Sequence, residues 1–362
     1  MNIALLITGL SRAGAERQVC DLADQYVGMG HRVLLISLSG ETVQRPVSVQ
    51  VRIECMDMQR SVVSFLAAYF KLHKALRQFK PDVVHSHLIH ANLMARLLRL
   101  STAFPKLICT AHNTRIGGRF STLAYRLTDH LADMSTNVSA EAVQAFITAG
   151  AARPGRMIAM HNGINTDEFK GVRGRASDVR RELGISENIP LLLAVGRLTE
   201  QKDYPNLFRA IVEVLHTHPS AILIIAGTGA LKARLKSDIQ ELGIEDNVTF
   251  LGLREDVAAL MNAANVMVLS SAWEGFGLVV AEAMACECLV VATDSGGVKE
   301  VLGDAGRLVP TQSSEALATA ITEILSLETS EKDRLRVLAR SRVLKHYSIR
   351  SAALRWIKLY EA

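Results

Sequence analysis

The chain has 362 residues, of which 49% are hydrophobic and 21% charged, and a formal net charge of +5. That length exceeds one ordinary hydrophobic core and sets an expectation of two domains, while the composition excludes a disordered or collagen-like chain. No window approaches ~18 uninterrupted apolar residues, and the start "MNIALLITGLSRAG" lacks a basic region and a small-residue cleavage site, so neither a spanning segment nor a signal peptide is expected.

Five cysteines, Cys20, Cys55, Cys109, Cys286 and Cys288, make an odd, sparse set in apolar runs. That pattern fits free thiols in a cytosolic chain. Charge is unevenly spread: residues 1–165 hold 18 Lys and Arg against 10 Asp and Glu, and residues 166–362 hold 23 against 26. The basic first half points to nucleic acid, a phosphate-bearing ligand or an anionic bilayer surface, and composition does not choose among them.

In chain order, short runs rich in Leu, Ile and Val each precede a helix-length segment. The first half has "NIALLITG", "RVLLISL", "VRIECMD", "DVVHSHL", "KLICTAHN", "MSTNVSA" and "MIAMHNG"; the second has "LLLAVGRL", "AILIIAG", "NVTFLG", "NVMVLSS" and "CLVVATD". Runs apolar throughout, rather than alternating, predict strands covered on both faces, hence two doubly wound α/β domains. The polar, glycine-bearing stretch from Asn165 to Pro190 is expected to be the interdomain linker. The last segment places Ile349, Ala353, Trp356, Ile357 and Tyr360 at helical spacing with no strand after it, so its apolar face needs a surface to cover.

Ligands in such folds bind beyond the C-terminal ends of the strands. At the first of these ends, "GLSRAGAERQV" puts Gly14 in a turn where backbone can approach a ligand, although a plain tight turn explains it equally. It is neither a dinucleotide fingerprint nor a P-loop. "SVVSFLAAYFKLHKALRQFK" mixes Phe65, Leu66, Tyr69, Phe70 and Leu72 with Lys71, Lys74, Arg77 and Lys80, and "NTRIGGRFSTLAYRL" adds Arg115, Arg119 and Arg126. A basic, aromatic-bearing surface suits an interfacial membrane contact, and a core helix with a solvated charged face suits it as well. His85 and His87 share one face of a strand. With His90 and His112 they raise a zinc site, but no aspartate follows the pair closely and no His-Glu-x-x-His occurs. His112, at a strand end, is instead a candidate hydrogen-bonding group, and His85 and His87 are structural or lining residues.

In the second half, "VGRLTEQKDY" places Arg197 at a strand end and Lys202 five residues on, before a helix whose dipole disfavours cations. An anion such as a diphosphate reconciles them, with Arg197 as a fork and Lys202 as a point charge; a solvated loop is the plainer reading. "SSAWEGFGLVVAEAM" predicts a strand end, a glycine turn and a helix, with Glu274 in the turn and Glu282 about one turn into the helix. Uncompensated carboxylates are costly to bury, and no Lys or Arg occurs between Arg254 and Lys299, so sugar hydroxyls are the expected donors. "CEC" at Cys286–Cys288 reads as core packing. No Asp-x-Asp is present to hold Mg²⁺ on a nucleotide diphosphate, which leaves that charge to Arg197 and Lys202.

Together and in this order these segments resemble the retaining glycosyltransferases of family 4. "GLSRAGAER", "VGRLTEQKDY", "EGFGLVVAE", "HNGIN" and "DSGGVKEVL" are similar to that family's motifs across nearly the whole chain, with Ala13 standing where relatives often have a second glycine. The resemblance implies a GT-B fold: two Rossmann-like domains facing across a cleft, with the C-terminal helix crossing back to the first. It assigns residues 1–165 with helix 348–362 to an acceptor-binding domain and residues 166–347 to a nucleotide-sugar-binding domain. Arg197 and Lys202 would bind the donor diphosphate, and Glu282 the ribose. Glu274, with backbone N–H groups of Phe276, Gly277 and Leu278, would hold the transferred sugar and phosphate. "GLREDV" looks like the base-binding turn, with Arg254 near the nucleobase and Val257 at its end; Gly14 would approach the diphosphate and His112 the sugar or reaction centre.

The implied activity is hexosyl transfer with retention, without a metal or cofactor. The donor would be a nucleotide sugar such as UDP-GalNAc and the acceptor a saccharide on a lipid diphosphate, as in bacterial O-antigen or capsule assembly on undecaprenyl diphosphate. Its narrowest form is α-1,3-GalNAc transfer to a lipid-linked GalNAc, performed in the cytoplasm at the inner face of the cell membrane, with Lys71, Lys74, Arg115, Arg119 and Arg126 meeting acceptor or anionic lipid. Three rivals remain: a UDP-sugar 2-epimerase of GT-B fold, a non-catalytic sugar-nucleotide-binding protein, and a nucleic-acid-binding protein. The last has no recognition helix or stacking motif in its favour, so nucleic acid is not expected as a partner.

Overall fold

The structure, a computed structural model, describes residues 1–11, 13–114, 117–172 and 175–362. The first half contains β1 (Asn2–Ile7), α1 (Gly14–Gly28), β2 (Arg32–Ser37), β3 (Arg52–Cys55), α2 (Val62–Phe79) and β4 (Val83–His87). It continues with α3 (Ile89–Leu98), β5 (Lys106–Thr110), α4 (Arg119–Thr128), β6 (Met134–Asn137), α5 (Ala140–Thr148) and β7 (Met157–Ala159). Next come α6 (Arg175–Glu182), β8 (Leu191–Val195), α7 (Tyr204–Thr217), β9 (Ile222–Ala226), α8 (Lys232–Glu241), β10 (Val248–Gly252) and α9 (Val257–Ala263). The chain ends with β11 (Val266–Leu269), α10 (Leu278–Ala285), β12 (Leu289–Thr293), α11 (Val298–Leu302), β13 (Arg307–Val309), α12 (Ser314–Ser326), α13 (Thr329–His346) and α14 (Ile349–Glu361).

Two compact units result: Met1–Gly163 together with Ile349–Ala362, and Ile164–Ser348. The first unit is built on a seven-stranded parallel sheet in the order β3-β2-β1-β4-β5-β6-β7. The pleat sends alternate residues of β1 to opposite faces. Ala4 and Leu6 pack with Leu72 and Leu76 of α2 and Met94 of α3, whereas Ile3, Leu5 and Ile7 pack with Leu22 and Tyr26 of α1 and Trp356 and Tyr360 of α14. Both faces are therefore covered, which is why the strands read as unbroken apolar runs.

The surface that the last helix covers is thus the α1 side of this sheet. Ile349, Ala352, Ala353, Trp356 and Tyr360 form its buried stripe. Its C-terminal carbonyls are met by Lys106, whose Nζ donates to Leu359 O (3.3 Å) and Tyr360 O (3.0 Å), the favourable placement of a cation at a helix C-terminus.

The second unit has a six-stranded parallel sheet in the order β10-β9-β8-β11-β12-β13. One face buries Leu192, Leu223, Val268 and Val291 against Leu207 and Ile211 of α7, Leu235 of α8 and Ile321 of α12. Both sheets are doubly wound, as expected, and both have a switch point where the order reverses, β1/β4 in the first and β8/β11 in the second.

Two expectations need correction. The stretch 165–190, expected as a linker, is part of the second unit. Arg180 of α6 is buried, donating from Nε to Ala263 O (3.1 Å), from Nη2 to Asn265 Oδ1 (2.7 Å) and from Nη1 to Ser186 O (2.9 Å) and Ile189 O (3.0 Å). The helix is held by polar bonds of one arginine to backbone carbonyls and the Asn265 side chain, so apolar periodicity does not reveal it. β13 was not expected at all; it is three residues long and opens on a partly exposed arginine, too short to form a recognisable run.

Candidate functional site

In the second unit the strand ends are stitched into one continuous edge. Gly196 N–H donates to Ala226 O (3.0 Å), Leu198 N–H to Thr228 O (2.9 Å) and Gly227 N–H to Gly252 O (2.7 Å), which join the ends of β8, β9 and β10. A side chain at Gly227 would overlap the Gly196 carbonyl, so the two loops touch through bare backbone. Across the switch point, Ala272 N–H donates to Gln201 O (2.9 Å) and Ser270 Oγ to Lys202 O (2.7 Å). Thr293 Oγ1 then donates to Ser271 O (2.6 Å) and Gly297 N–H to Gly275 O (3.3 Å), binding the β12 end to the β11 end. Gly296 has φ +61, and a Cβ there would overlap the Glu274 carbonyl oxygen. That turn can press against Glu274 because it lacks a side chain.

This edge holds Glu274 in a defined place. Lys202 Nζ lies 2.6 Å from Glu274 Oε1, and Ser271 Oγ donates to the same oxygen at 2.8 Å. The ion-paired side chains are 15% and 10% exposed, so the pair is largely out of water. Local pairing of Glu274 was discounted because no cation stands near it in sequence. The partner comes instead from the turn that follows the neighbouring strand: β8 and β11 are adjacent, which brings together residues 72 apart. Tyr204, at the start of α7, has its hydroxyl pKa raised, first by burial and then by the charge of Glu274.

The remaining expected residues are placed as follows. Arg197 follows β8, is exposed, and makes no ion pair among the described residues. Gly277, with φ +82, precedes α10, Leu278 opens it, and Glu282 lies one turn in and is partly exposed. The Phe276 ring is buried edge-on against Tyr347, 5.6 Å between centroids, so its side chain belongs to the core. Val257 opens α9. Arg254 is already committed: Nε and Nη2 fork onto Asp256 at 2.7 Å each, and Nη1 reaches Glu182 at 2.8 Å. Those bonds raise the Arg254 pKa and lower that of Asp256. A guanidinium so engaged has few donors to turn toward a base.

In the first unit Gly14 is the first residue of α1. His87 ends β4, and its Nδ1 lies 3.0 Å from Nε2 of His112, two residues beyond β5. His85 is buried, with Nδ1 2.5 Å from the Tyr360 hydroxyl and Nε2 2.6 Å from Thr110 Oγ1, and that hydroxyl also lies 3.0 Å from Tyr26 OH. His85 and His87 do share a face, their rings 4.0 Å apart. Burial lowers the pKa of all three histidines, that of His112 to about 4.

Lys71, Lys74, Arg119 and Arg126 are exposed; Arg115 lies outside the described residues. Beside them stand exposed apolar side chains: Val62, Val63, Leu66 and Phe70 on α2, and Phe120, Leu123 and Leu127 on α4. Phe65, Tyr69 and Leu72 face the core instead, so α2 is apolar on two sides. No described helix is long and apolar enough to cross a membrane.

Residues at the site that were not foreseen are Gln201, Ser271 and Gly227. The glycine pair in "AGTGA" at the end of β9 was the available signal for the last of these.

Two family models match the chain: "Glycosyltransferase Family 4" over residues 12–168 and "Glycosyl transferases group 1" over residues 176–342. EpsD of Bacillus subtilis is 28% identical over 305 residues, 80% of this chain and 79% of that protein. D-inositol 3-phosphate glycosyltransferase of Mycobacteroides abscessus is 28% identical over 345 residues, 90% and 76% respectively. Among solved structures, HepE of Anabaena superposes with a TM-score of 0.84 at 22% identity, covering 100% of both chains. With one glycosyltransferase model on each doubly wound unit, the chain is a family 4-type glycosyltransferase of the GT-B fold.

Proposed function

We propose that the chain is a retaining hexosyltransferase that moves a sugar from UDP-GalNAc or a related UDP-hexose to a saccharide on a lipid diphosphate, in O-antigen or related polysaccharide assembly. The observation that carries this reading is the Lys202–Glu274–Ser271 cluster beside exposed Arg197 on one stitched edge. A diphosphate drawn to Arg197 can use the remaining donors of Lys202, while Glu274 accepts from sugar hydroxyls. The N-terminus of α10 favours the anionic leaving group, and Glu282 one turn inside it takes the ribose. A uracil base is supported by HepE, whose structures are described as complexes with UDP and with UDP-glucose.

Retention here needs no carboxylate nucleophile. In a same-face substitution the leaving phosphate oxygen receives the acceptor proton, the bond from sugar to phosphate breaks as the bond to the acceptor forms, and Arg197 and Lys202 stabilise the departing charge in place of a metal. His112 supplies a neutral hydrogen-bonding group. The lipid acceptor is supported by the exposed apolar and basic side chains of α2 and α4, which suit an anionic bilayer at the inner face of the membrane.

The test is incubation with a UDP-sugar panel and a GalNAc-diphospho-undecaprenol acceptor. The expected product is α-linked, formed at the same rate in EDTA, with turnover reduced about 100-fold or more in both Arg197→Ala and Lys202→Ala. Near-normal rates in both variants would sink the assignment of the diphosphate site. A C2 epimer formed from donor alone would instead establish the epimerase reading. Flotation with vesicles tests the membrane part: binding no better to anionic than to neutral lipid counts against it.

A further inference from the structure

We propose that His87 is a positioning residue that fixes the ring and tautomer of His112, so that the outer nitrogen of His112 presents one set role, donor or acceptor, to a saccharide hydroxyl at the strand ends of the first unit. The inference rests on the transferase reading above, in which His112 takes part in the reaction.

The geometry argues for a coupled pair. His87 Nδ1 and His112 Nε2 are 3.0 Å apart, so one carries a hydrogen and the other does not. The outer nitrogens, His87 Nε2 and His112 Nδ1, are buried and have no partner among the described residues. If His87 Nδ1 donates, His112 has its hydrogen on the outer Nδ1 and His87 Nε2 is an acceptor. If His112 Nε2 donates, both outer roles reverse. The rings are 5.3 Å apart between centroids with the bonded nitrogens between them, so the outer nitrogens point away from each other and one hydroxyl meets only one of them; the tautomer that His87 enforces decides whether His112 Nδ1 donates to that hydroxyl or accepts from it.

The surroundings agree. Thr8 Oγ1 and Gln18 Nε2 are likewise buried without partners among the described residues. Thr8 directly follows β1, whose Ile7 is in register with His87, and Gln18 lies in the second turn of α1, anchored by its Oε1 accepting from Gly163 N–H (2.9 Å). Four buried polar groups left open along adjoining elements would be costly in a site meant to stay closed. Burial keeps both rings uncharged near neutral pH, so the group they suit is a neutral hydroxyl rather than a phosphate. His87 is also held from behind by the His85 ring, 4.0 Å away, and His85 is fixed by Tyr360 and Thr110.

The experiment compares His87→Leu, which removes the bond, with His87→Asn, whose amide can occupy the Nδ1 position. Ring ¹⁵N spectra of the full chain report the tautomer of His112 directly. The expected result is one dominant His112 tautomer in the wild type and in His87→Asn, and a mixed population in His87→Leu. In the transfer assay, kcat/KM should fall about tenfold in His87→Leu and stay within about threefold in His87→Asn, with the affinity for UDP alone unchanged in both. A raised KM for the UDP-sugar locates the hydroxyl on the donor, and a raised KM for the lipid-linked acceptor locates it there. Unchanged His112 signals in His87→Leu, or a His87→Asn as impaired as His87→Leu, would overturn the proposal. If the wild type transfers no sugar the transferase reading fails, and the ring spectra still decide whether His87 sets His112.

Discussion

Removing the charge of Lys202 should cost stability as well as activity, and the two losses can be separated. At 2.6 Å the gross attraction between Lys202 and Glu274 is roughly 6 kcal/mol for an effective dielectric constant near 20. Desolvation of side chains that are 15% and 10% exposed cancels most of that. A coupling of about 2 kcal/mol is the expected remainder. In a double-mutant cycle, Lys202→Met and Glu274→Gln each lose about 2–3 kcal/mol, because each leaves the other group partly buried without its opposite charge, and the double mutant loses less than their sum. The assay is urea-dependent amide exchange of Val266–Leu269, which reports the second unit alone. On the proposed donor site, saturating UDP should reduce the coupling, because its diphosphate would compete for the same ammonium. A coupling under about 0.5 kcal/mol, the range of solvent-exposed pairs, would show that Glu274 is not held by Lys202 in solution and would remove the basis for its positioning role.

Further outcomes follow from other contacts. Gly296→Ala combines a left-handed backbone with overlap onto the Glu274 carbonyl and should destabilise the second unit by about 2–4 kcal/mol. Gly30→Ala in the first unit, equally left-handed but with open space around it, should cost about 1 kcal/mol, so a loss of stability relative to wild type as large as that of Gly296→Ala in its own unit would refute the close-contact argument. Tyr360→Phe leaves His85 Nδ1 without its partner and Tyr26 OH without its neighbour; a loss of about 2–3 kcal/mol in the first unit is expected, visible as a lowered Tm. Stability of that unit should fall as pH drops below about 6.5. The unfolded chain then binds protons that folded His85 and His87 resist, and that His112 resists down to about 4. His112→Gln should flatten that slope.

The strands and their order of chemistry were readable because burial on both faces leaves unbroken apolar runs, and because strand ends are where ligand-binding residues gather. Glu274 in a glycine turn and Glu282 one turn into a helix follow from local pattern, and α10 bears this out. What local pattern cannot give is which strands are neighbours. Lys202 and Glu274 meet because β8 and β11 pair, so the cation sought near Glu274 lay 72 residues back. The pairing of Arg254 was hidden for a related reason: Glu182, which holds one end of its guanidinium, sits on α6 in a stretch read as linker. The dual character of α2 was also hidden. Phe65 and Phe70 look alike in a helical pattern, yet one packs on the core and the other is exposed.

The placement of α14 has a consequence for biosynthesis. Residues 1–163 leave the ribosome well before the wall that Trp356 and Tyr360 supply to their core, because the whole second unit is encoded between them. The second unit, continuous in sequence, can fold in the interval, which lasts on the order of ten seconds at ordinary elongation rates. During that time His85, Tyr26 and the α1 side of the first sheet lack the helix that covers them. The nascent first unit is therefore a natural client for chaperones, and a stop codon just before residue 349 would leave it in that condition permanently.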